Sequence, residues 1–194
     1  MAGRWNNFGF YGARGVPGWV ALGREMDRQV TGIKSPVDSA RGLAARLRYL
    51  TRSPAGMESM RRAGITARQR TIDAWVEKKQ KPRRANLQKI DAAYWDLRRR
   101  NLGVEWARRL AERGTRIEIH PVDQSQVQAQ NPTRVRDIPV RRMTVRGHRI
   151  WDDIIQAWID EDGEMLDIAW DEIITDIGSD YDAYSHVASI GFGI

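Results

Sequence analysis

Apolar residues in the stretch 38–112 recur every three or four positions, the spacing of one buried face of an α-helix. Pro54, Gly64 and Pro82 interrupt this stretch, and both residue types end or bend helices. The pattern therefore restricts the stretch to several short helices, each of which must bury its apolar face against another element.

The same interruptions predict where each helix begins. Pro36 precedes Asp38 and Ser39, either of which can act as the N-cap of the first of these helices, and Thr66 is predicted as the N-cap of the third. The glycine-rich, aromatic segment before them contains a further short helix near Trp19–Val30. The predicted helices of the central stretch are 37–52, 54–62, 66–80 and 84–100, the last one extending past Gly103.

The pattern changes beyond Gly114. Alternating apolar residues predict strands at 115–120 and 138–146, whereas 121–137 lacks apolar periodicity and is expected to be a long, exposed loop. Two amphipathic helices, at 150–160 and 161–177, and a terminal strand at 185–194 complete the chain. We therefore predict an α+β protein with an N-terminal all-helical helix-turn-helix part followed by a small acidic α+β part. The predicted segments are 1–37, 38–113 and 114–194.

Charge is distributed unevenly along the 194 residues. The net charge is +7, but 41–150 hold 27 Lys or Arg against 10 Asp or Glu, and 151–194 hold 12 Asp or Glu and no Lys or Arg. Such a basic stretch indicates a polyanionic partner, and nucleic acid is the first candidate. The acidic region also contains tryptophan and isoleucine at helical spacing, so we expect it to fold.

Composition also excludes several classes of protein. The chain has no cysteine, which rules out disulfides and thiolate metal sites, and the sequence shows neither a secretion signal nor an apolar run long enough to span a membrane. We therefore expect a cytoplasmic, nucleoid-associated protein with no membrane partner. Its three histidines lie far apart, and no phosphate-binding glycine loop is present.

The most specific local pattern is 55–84, AGMESMRRAGITARQRTIDAWVEKKQKPRR. A short helix, a turn with glycine and a second helix with a polar N-terminal half are typical of a helix-turn-helix. Arginine can recognise guanine edges and glutamine can recognise adenine, whereas lysines contact phosphates. The candidate DNA-binding residues are Thr66, Arg68, Gln69, Arg70 and Thr71 on the second helix, and Lys78, Lys79, Lys81, Arg83 and Arg84 after it.

A single threonine, Thr133, lies in the predicted loop, between Pro132 and Arg134. A threonine hydroxyl is a weak nucleophile unless a base or a metal activates it, and Asp137 is the nearest carboxylate in sequence. Because the chain offers no self-contained catalytic set, we expect no enzyme. Thr133 is instead a hydroxyl that a second protein could use as a nucleotide acceptor, with Arg134 and Arg136 attracting the triphosphate.

Three parts of the sequence, ITARQRTIDAWVEKKQKPRRANLQKI, RIEIH and NPTRVRDIPVRRMTV, resemble the telomere-protecting terminal proteins of linear bacterial chromosomes and plasmids. The resemblance covers roughly 40–194, and the first 37 residues have no counterpart. It implies binding of telomeric DNA, including a single-stranded overhang, and a covalent bond between a threonine and the 5′ DNA end that primes synthesis. The implied partners are a DNA polymerase and a telomere-associated protein, and Mg²⁺ and dNTP would come with the polymerase. Thr133 matches the acceptor position.

Three alternatives remain open at the level of sequence. The acceptor could be Thr144 or Thr115, although both fall on or beside predicted strands. The helix-turn-helix could serve a transcriptional regulator that has no covalent chemistry. The third alternative is a metal-dependent nuclease built on the acidic pairs of 151–194, but these are interleaved with tryptophan as in an ordinary amphipathic helix, and we expect no metal site.

Overall fold

The computed structural model describes residues 5–112, 114–146, 148–175 and 181–193. Its contacts divide the chain into two compact units, which we call the helical unit (31–102) and the mixed unit (1–30 together with 103–194). This division differs from the predicted segments of 1–37, 38–113 and 114–194. Residues 1–30 group with the C-terminal part of the chain, and the second boundary between the units falls between 102 and 103, within the long helix Arg84–Glu112, rather than at 113.

The described residues form α-helices and a four-stranded antiparallel sheet, so the chain is an α+β protein as predicted. In chain order the elements are α1 Trp5–Phe10, β1 Val16–Pro17, α2 Gly18–Gln29, α3 Ala40–Leu50, α4 Pro54–Arg62, α5 Gln69–Val76, α6 Arg84–Glu112, β2 Thr115–Pro121, α7 Ser125–Gln130, β3 Arg141–Val145, α8 His148–Ile159, α9 Gly163–Thr175 and β4 His186–Phe192, with 3₁₀ turns at Pro132–Arg134 and Tyr181–Tyr184. No helix in these described ranges is long and apolar enough to cross a membrane.

Serine caps begin two helices of the helical unit. The hydroxyl of Ser39 accepts a hydrogen bond from the amide of Gly42 at 3.0 Å, and Ser53 does the same for Gly56 at 3.2 Å, with Pro54 in the first turn of α4. Each such cap stabilises a helix by about 1 kcal/mol. The apolar faces of the helices then meet in one core, as their spacing predicted. Its fully buried members are Leu47, Leu50, Met60, Ile65, Ile72, Trp75, Ile90, Ala93, Tyr94 and Leu97.

Helix α5 is shorter than the sequence indicated. It begins at Gln69 rather than after Thr66, and Arg68 occupies the N-cap position without a side-chain hydrogen bond. The prediction of Thr66 as the N-cap is therefore wrong. Ile65 is buried beside the turn and fixes the chain there, residues 65–68 are not helical, and Arg68 has an extended backbone just before the helix starts. At the other end, Lys78 adopts a left-handed backbone with φ of +61°, which stops the helix.

The mixed unit is built on the sheet, whose strand order is β1-β4-β2-β3. Strand β2 pairs with both β3 and β4, with Ile117 opposite Met143 on one side and Phe192 on the other. Helix α2 packs against β4 and α9. This approach requires glycine at position 18, because a Cβ atom there would lie 2.0 Å from the indole of Trp170.

The predicted loop 121–137 is more ordered than its sequence indicated. It contains the six-residue helix α7 and the 3₁₀ turn Pro132–Arg134. Val127 is the reason, because its side chain is fully buried in a small cluster with Phe8, Ala13 and Val122. A single apolar residue among glutamines leaves no periodicity to detect, yet it is enough to fix one helical turn against the N-terminal segment.

Candidate nucleic-acid interface and nucleotide acceptor

Helices α4 and α5 are joined by a tight turn at Gly64. This residue has a φ of +75°, a left-handed conformation that glycine adopts without strain. The turn is held from inside by an amide of Ile65 that donates to the carbonyl of Met60 at 3.0 Å. The ammonium of Lys89, on α6, donates to the Gly64 carbonyl at 2.7 Å. The two helices of the predicted motif therefore have a fixed connection within the helical unit.

Helix α5 buries one side and exposes the other. Ile72 and Trp75 lie in the core, whereas Arg68, Gln69 and Arg70 are exposed. The amide of Gln69 donates to the carboxylate of Asp73 at 2.8 Å, within the same helix. Of the remaining predicted contact residues on this segment, Thr66 is exposed and Thr71 is half-buried.

The cations of α5 are open to solvent. Neither Arg68 nor Arg70 has a hydrogen bond or ion pair to another described side chain, so both guanidinium groups can meet an external acceptor. The basic residues after the helix, Lys78, Lys79, Lys81, Arg83 and Arg84, are exposed as well. Lys79 differs from the others because its ammonium donates a hydrogen bond to the carboxylate of Glu77 at 2.6 Å, and this hydrogen bond raises the pKa of the lysine.

A second cationic surface in the helical unit was not predicted. Arg41, Arg48 and Arg52 line an open groove beside α3, together with Lys78 and Arg98. A signal existed in the sequence, because intervals of seven and four residues place the first three arginines on one helical face. The opposite wall comes from residues far away in the chain, so the groove itself could not be deduced.

Thr133 lies at the centre of the 3₁₀ turn Pro132–Arg134 and is exposed. Its hydroxyl has no hydrogen bond to any other described residue. The turn is nevertheless fixed from two sides. The amide of Asn131 donates to the carbonyl of Val127 at 2.7 Å, and the amide of Arg134 donates to the carbonyl of Asn131 at 2.8 Å. The structure thus presents a free hydroxyl on an ordered segment.

Gln124 closes the segment that carries Thr133. Its side-chain amide donates to the carbonyl of Arg136 at 2.9 Å, and its side-chain oxygen accepts from the amide of the same residue at 2.9 Å. These two hydrogen bonds join the start of α7 to the chain after the 3₁₀ turn. The two partners are 12 positions apart in the chain, so the segment between them forms a closed loop.

Aromatic residues of the N-terminal segment lie beside the same turn. The guanidinium of Arg134 lies over the ring of Tyr11, 5.2 Å from its centroid, a cation–π contact. A cavity of about 240 Å³ is lined by these two residues and by Asn7, Phe8, Phe10 and Arg136. The first 37 residues, which had no predicted role, thus supply part of the surroundings of the candidate acceptor.

The two alternative acceptors differ in accessibility. Thr115 is buried, and its hydroxyl donates to the carbonyl of Leu110 at 3.0 Å, which joins the end of α6 to β2. This hydroxyl is therefore used structurally. Thr144 is exposed on β3, where it lies opposite Arg116 in regular strand pairing. Of the three threonines, only Thr133 combines exposure with a position outside the sheet.

The metal-site alternative required the acidic pairs of 151–194 to come together. Within the ranges that the structure describes, no group of three or more His, Asp or Glu side chains is placed to hold a metal ion. Asp137, the carboxylate nearest to Thr133 in sequence, is exposed.

Comparisons with protein-family models, with curated proteins and with solved structures found no match.

Proposed function

We propose that this protein binds duplex DNA through α4 and α5 and that the hydroxyl of Thr133 accepts a nucleotide. The chain would then prime DNA synthesis at the 5′ ends of a linear replicon and remain there as a cap. The carrying observation is the exposed, unpaired hydroxyl of Thr133 on a turn fixed by Gln124. The sequence resemblance to terminal proteins supports the same role.

The DNA-binding part of the proposal rests on α5. Arg68, Gln69 and Arg70 lie at its N-terminal end, the end that a recognition helix directs to base edges in the major groove. Arg70 would read guanine, because a guanidinium can donate two hydrogen bonds to its major-groove edge. The lysines and arginines after the helix would bind phosphates, which set affinity and salt dependence rather than sequence preference.

The covalent step is a nucleotidyl transfer. The oxygen of Thr133 attacks the α-phosphorus of a dNTP, an oxygen–phosphorus bond forms, and the bond to the β-phosphate bridge breaks so that pyrophosphate leaves. The hydroxyl proton passes to a base of the polymerase, which also supplies Mg²⁺, because the hydroxyl of Thr133 has no base within hydrogen-bonding distance among the described residues. Arg134 and Arg136 follow Thr133 in the chain, are exposed and would attract the triphosphate.

A labelling reaction tests the acceptor. The full chain is incubated with polymerase fractions from the organism that carries the gene, a replicon-end template and radiolabelled dNTP, and labelled protein is read on a denaturing gel. Wild type, Thr133→Ser and the control Thr144→Ala should be labelled, and Thr133→Ala should not. Equal labelling of Thr133→Ala would show that another residue is the acceptor.

The same reagents separate the proposal from a helix-turn-helix regulator without covalent chemistry. Such a regulator would bind internal duplex sites and never become labelled. In duplex binding, Arg70→Ala should reduce discrimination between sequences. Lys81→Ala should weaken binding to all sequences equally, and it should reduce the slope of log K against log salt by about 0.9. Duplex binding with no labelled chain in any fraction would favour the regulator.

A further inference from the structure

The groove beside α3 is an open cavity whose charged lining residues are all cationic. It encloses about 830 Å³ within the helical unit and is lined by five cationic side chains and no carboxylate. Arg41 and Arg48 lie on α3, and Arg52 follows shortly after its end, on the same face. The cationic residues are Arg41, Arg48, Arg52, Lys78 and Arg98.

These cations are largely unneutralised. Arg41, Arg48 and Arg52 have no ion pair or hydrogen bond to any other described residue. Arg98 is held in place by donating to the carbonyl of Thr31 at 2.8 Å, a neutral acceptor. A structural arginine of the same helix behaves differently, because Arg46 is buried and pairs with Asp91 at 2.6 Å. The groove therefore concentrates positive charge that the fold itself does not use.

The floor of the groove is apolar. Ala44 and Ala45 keep it open because their side chains are small, and the half-buried Tyr49 lines it beside Tyr94, whose ring lies in the core. The two tyrosine rings meet edge to face at 5.3 Å, and the Tyr94 hydroxyl accepts from the amide of Ile33 at 2.8 Å. These contacts fix the floor before any ligand arrives. A rigid apolar floor with a cationic rim suits a ligand with flat bases and phosphates.

The groove continues towards the end of α5. Lys78 lines it and also lines a neighbouring cavity of about 210 Å³, whose walls include Trp75 and Lys81. Trp75 is 4% exposed, and its indole N–H has no acceptor among the described residues. Buried indole donors usually have a partner, and this one has none among the described residues.

We propose that the groove binds a single strand of nucleic acid, with phosphates on its arginines and bases over its apolar floor. Its volume falls within the roughly 300–1,000 Å³ of ligand-sized clefts, which admits one or two nucleotides but not a duplex. An acidic peptide would match the rim but would leave the apolar floor unused. The inference deepens the proposed DNA-binding function, since the groove would hold a displaced or overhanging strand next to the duplex on α5.

Fluorescence anisotropy with the full chain tests the groove. The probes are a labelled 12-nucleotide DNA, an RNA of the same sequence, and the DNA as a duplex, each titrated at several salt concentrations. The groove variant is a double substitution that combines Arg48→Ala and Arg52→Ala. The control is Arg108→Ala with Arg109→Ala, which removes the same charge from exposed residues of α6 that pair with glutamates of their own helix.

The expected result follows from the number of phosphate contacts. Each contact to a single strand contributes about 0.7 to the slope of log K against log salt, so losing two should reduce the slope by about 1.4. If variant and wild type bind equally at 1 M salt, the variant should bind single strands roughly 25-fold more weakly than wild type at 0.1 M salt. The control should stay within about twofold of wild type, and duplex binding by the groove variant should change far less than single-strand binding. The DNA and RNA arms show which sugar the groove prefers.

A second variant tests insertion rather than charge. Ala45→Trp retains every cation but fills the floor, so it should also weaken single-strand binding. Equal losses for single strand and duplex, or an equal loss in the Arg108 and Arg109 control, would overturn the proposal. The proposal would also be overturned if poly-glutamate displaced the oligonucleotide when its carboxylate concentration equalled the phosphate concentration of the oligonucleotide.

The experiment can reject the duplex-binding proposal for α5 and the groove proposal independently of each other. Arg70→Ala, measured with the same probes, reports on α5. If wild type does not bind duplex but binds single strands through the groove, the proposed helix-turn-helix function fails and the groove stands. If duplex binding depends on Arg70 while Arg48 and Arg52 can be removed without effect on single strands, the groove proposal fails.

Discussion

Replacing Lys78 with glycine should stabilise the helical unit and weaken its binding of nucleic acid. Lys78 has a φ of +61° at the end of α5, where its amide donates to the Trp75 carbonyl at 3.2 Å and the next amide, of Lys79, donates to Ala74 at 2.8 Å. This is the hydrogen-bond pattern of a helix end that normally uses glycine. A lysine there retains strain together with a cation that faces the groove.

The size of the stability effect follows from two opposing terms. A side chain in the left-handed conformation costs about 1–2 kcal/mol, which glycine would remove. Glycine also gives the unfolded chain more freedom, which costs about 0.4–1 kcal/mol. The net gain should be about 0.5–1 kcal/mol, or roughly 1–4 °C in the melting temperature. Loss of one phosphate contact should reduce the salt slope for a single strand by about 0.7.

Lys78→Ala is the matched control, because it removes the same ammonium group without relieving the backbone. Both variants should lose single-strand binding equally by anisotropy, and only Lys78→Gly should unfold at a higher urea concentration. The reasoning would be refuted by a glycine variant that is no more stable than the alanine variant. Unchanged binding by both would remove Lys78 from the interface.

Two further perturbations test other parts of the structure. Gln124→Ala removes both hydrogen bonds to the backbone of Arg136. The closed loop should lose about 1 kcal/mol of stability, and hydrogen exchange of the Arg136 amide should become about fivefold faster. Exchange at the wild-type rate would show that the loop does not depend on these two hydrogen bonds. The second perturbation concerns Asp96. Burial opposes ionisation of its carboxyl group, but hydrogen bonds from Ser59 and two arginines hold the pKa of Asp96 below its usual value. As the pH falls, the Asp96 carboxylate is therefore protonated in the unfolded chain before it is protonated in the folded one. Stability should fall as the pH drops from about 4 through the lower folded pKa. Asp96→Asn should flatten that part of a plot of the urea midpoint against pH.

The helices could be predicted from the sequence because their signals are local. Apolar spacing, Ser39, Pro54 and Gly64 all act within a few residues, and α3, α4 and α6 lie where they indicated. The start of α5 was predicted wrongly because burial of Ile65, a tertiary effect, overrides the capping preference of Thr66, the next residue.

Features that depend on distant contacts could not be predicted. The ordering of the Thr133 segment comes from packing of Val127 on Phe8, more than a hundred residues earlier in the chain. The groove likewise combines Arg41 of α3 with Lys78 after α5 and Arg98 of α6. Residue type and exposure of the helix-turn-helix candidates could be anticipated, because an amphipathic helix already divides its residues between core and solvent.

Mass spectrometry of the protein isolated from its own cells tests the central claim most directly. After nuclease digestion, trypsin should release the peptide 117–134, which contains one threonine and one serine, Thr133 and Ser125. We predict a deoxynucleoside monophosphate on this peptide, with fragmentation placing it on Thr133. An adduct on Ser125 or on another peptide would contradict the assignment, and DNA-bound protein that carries no nucleotide anywhere would contradict the proposed priming function.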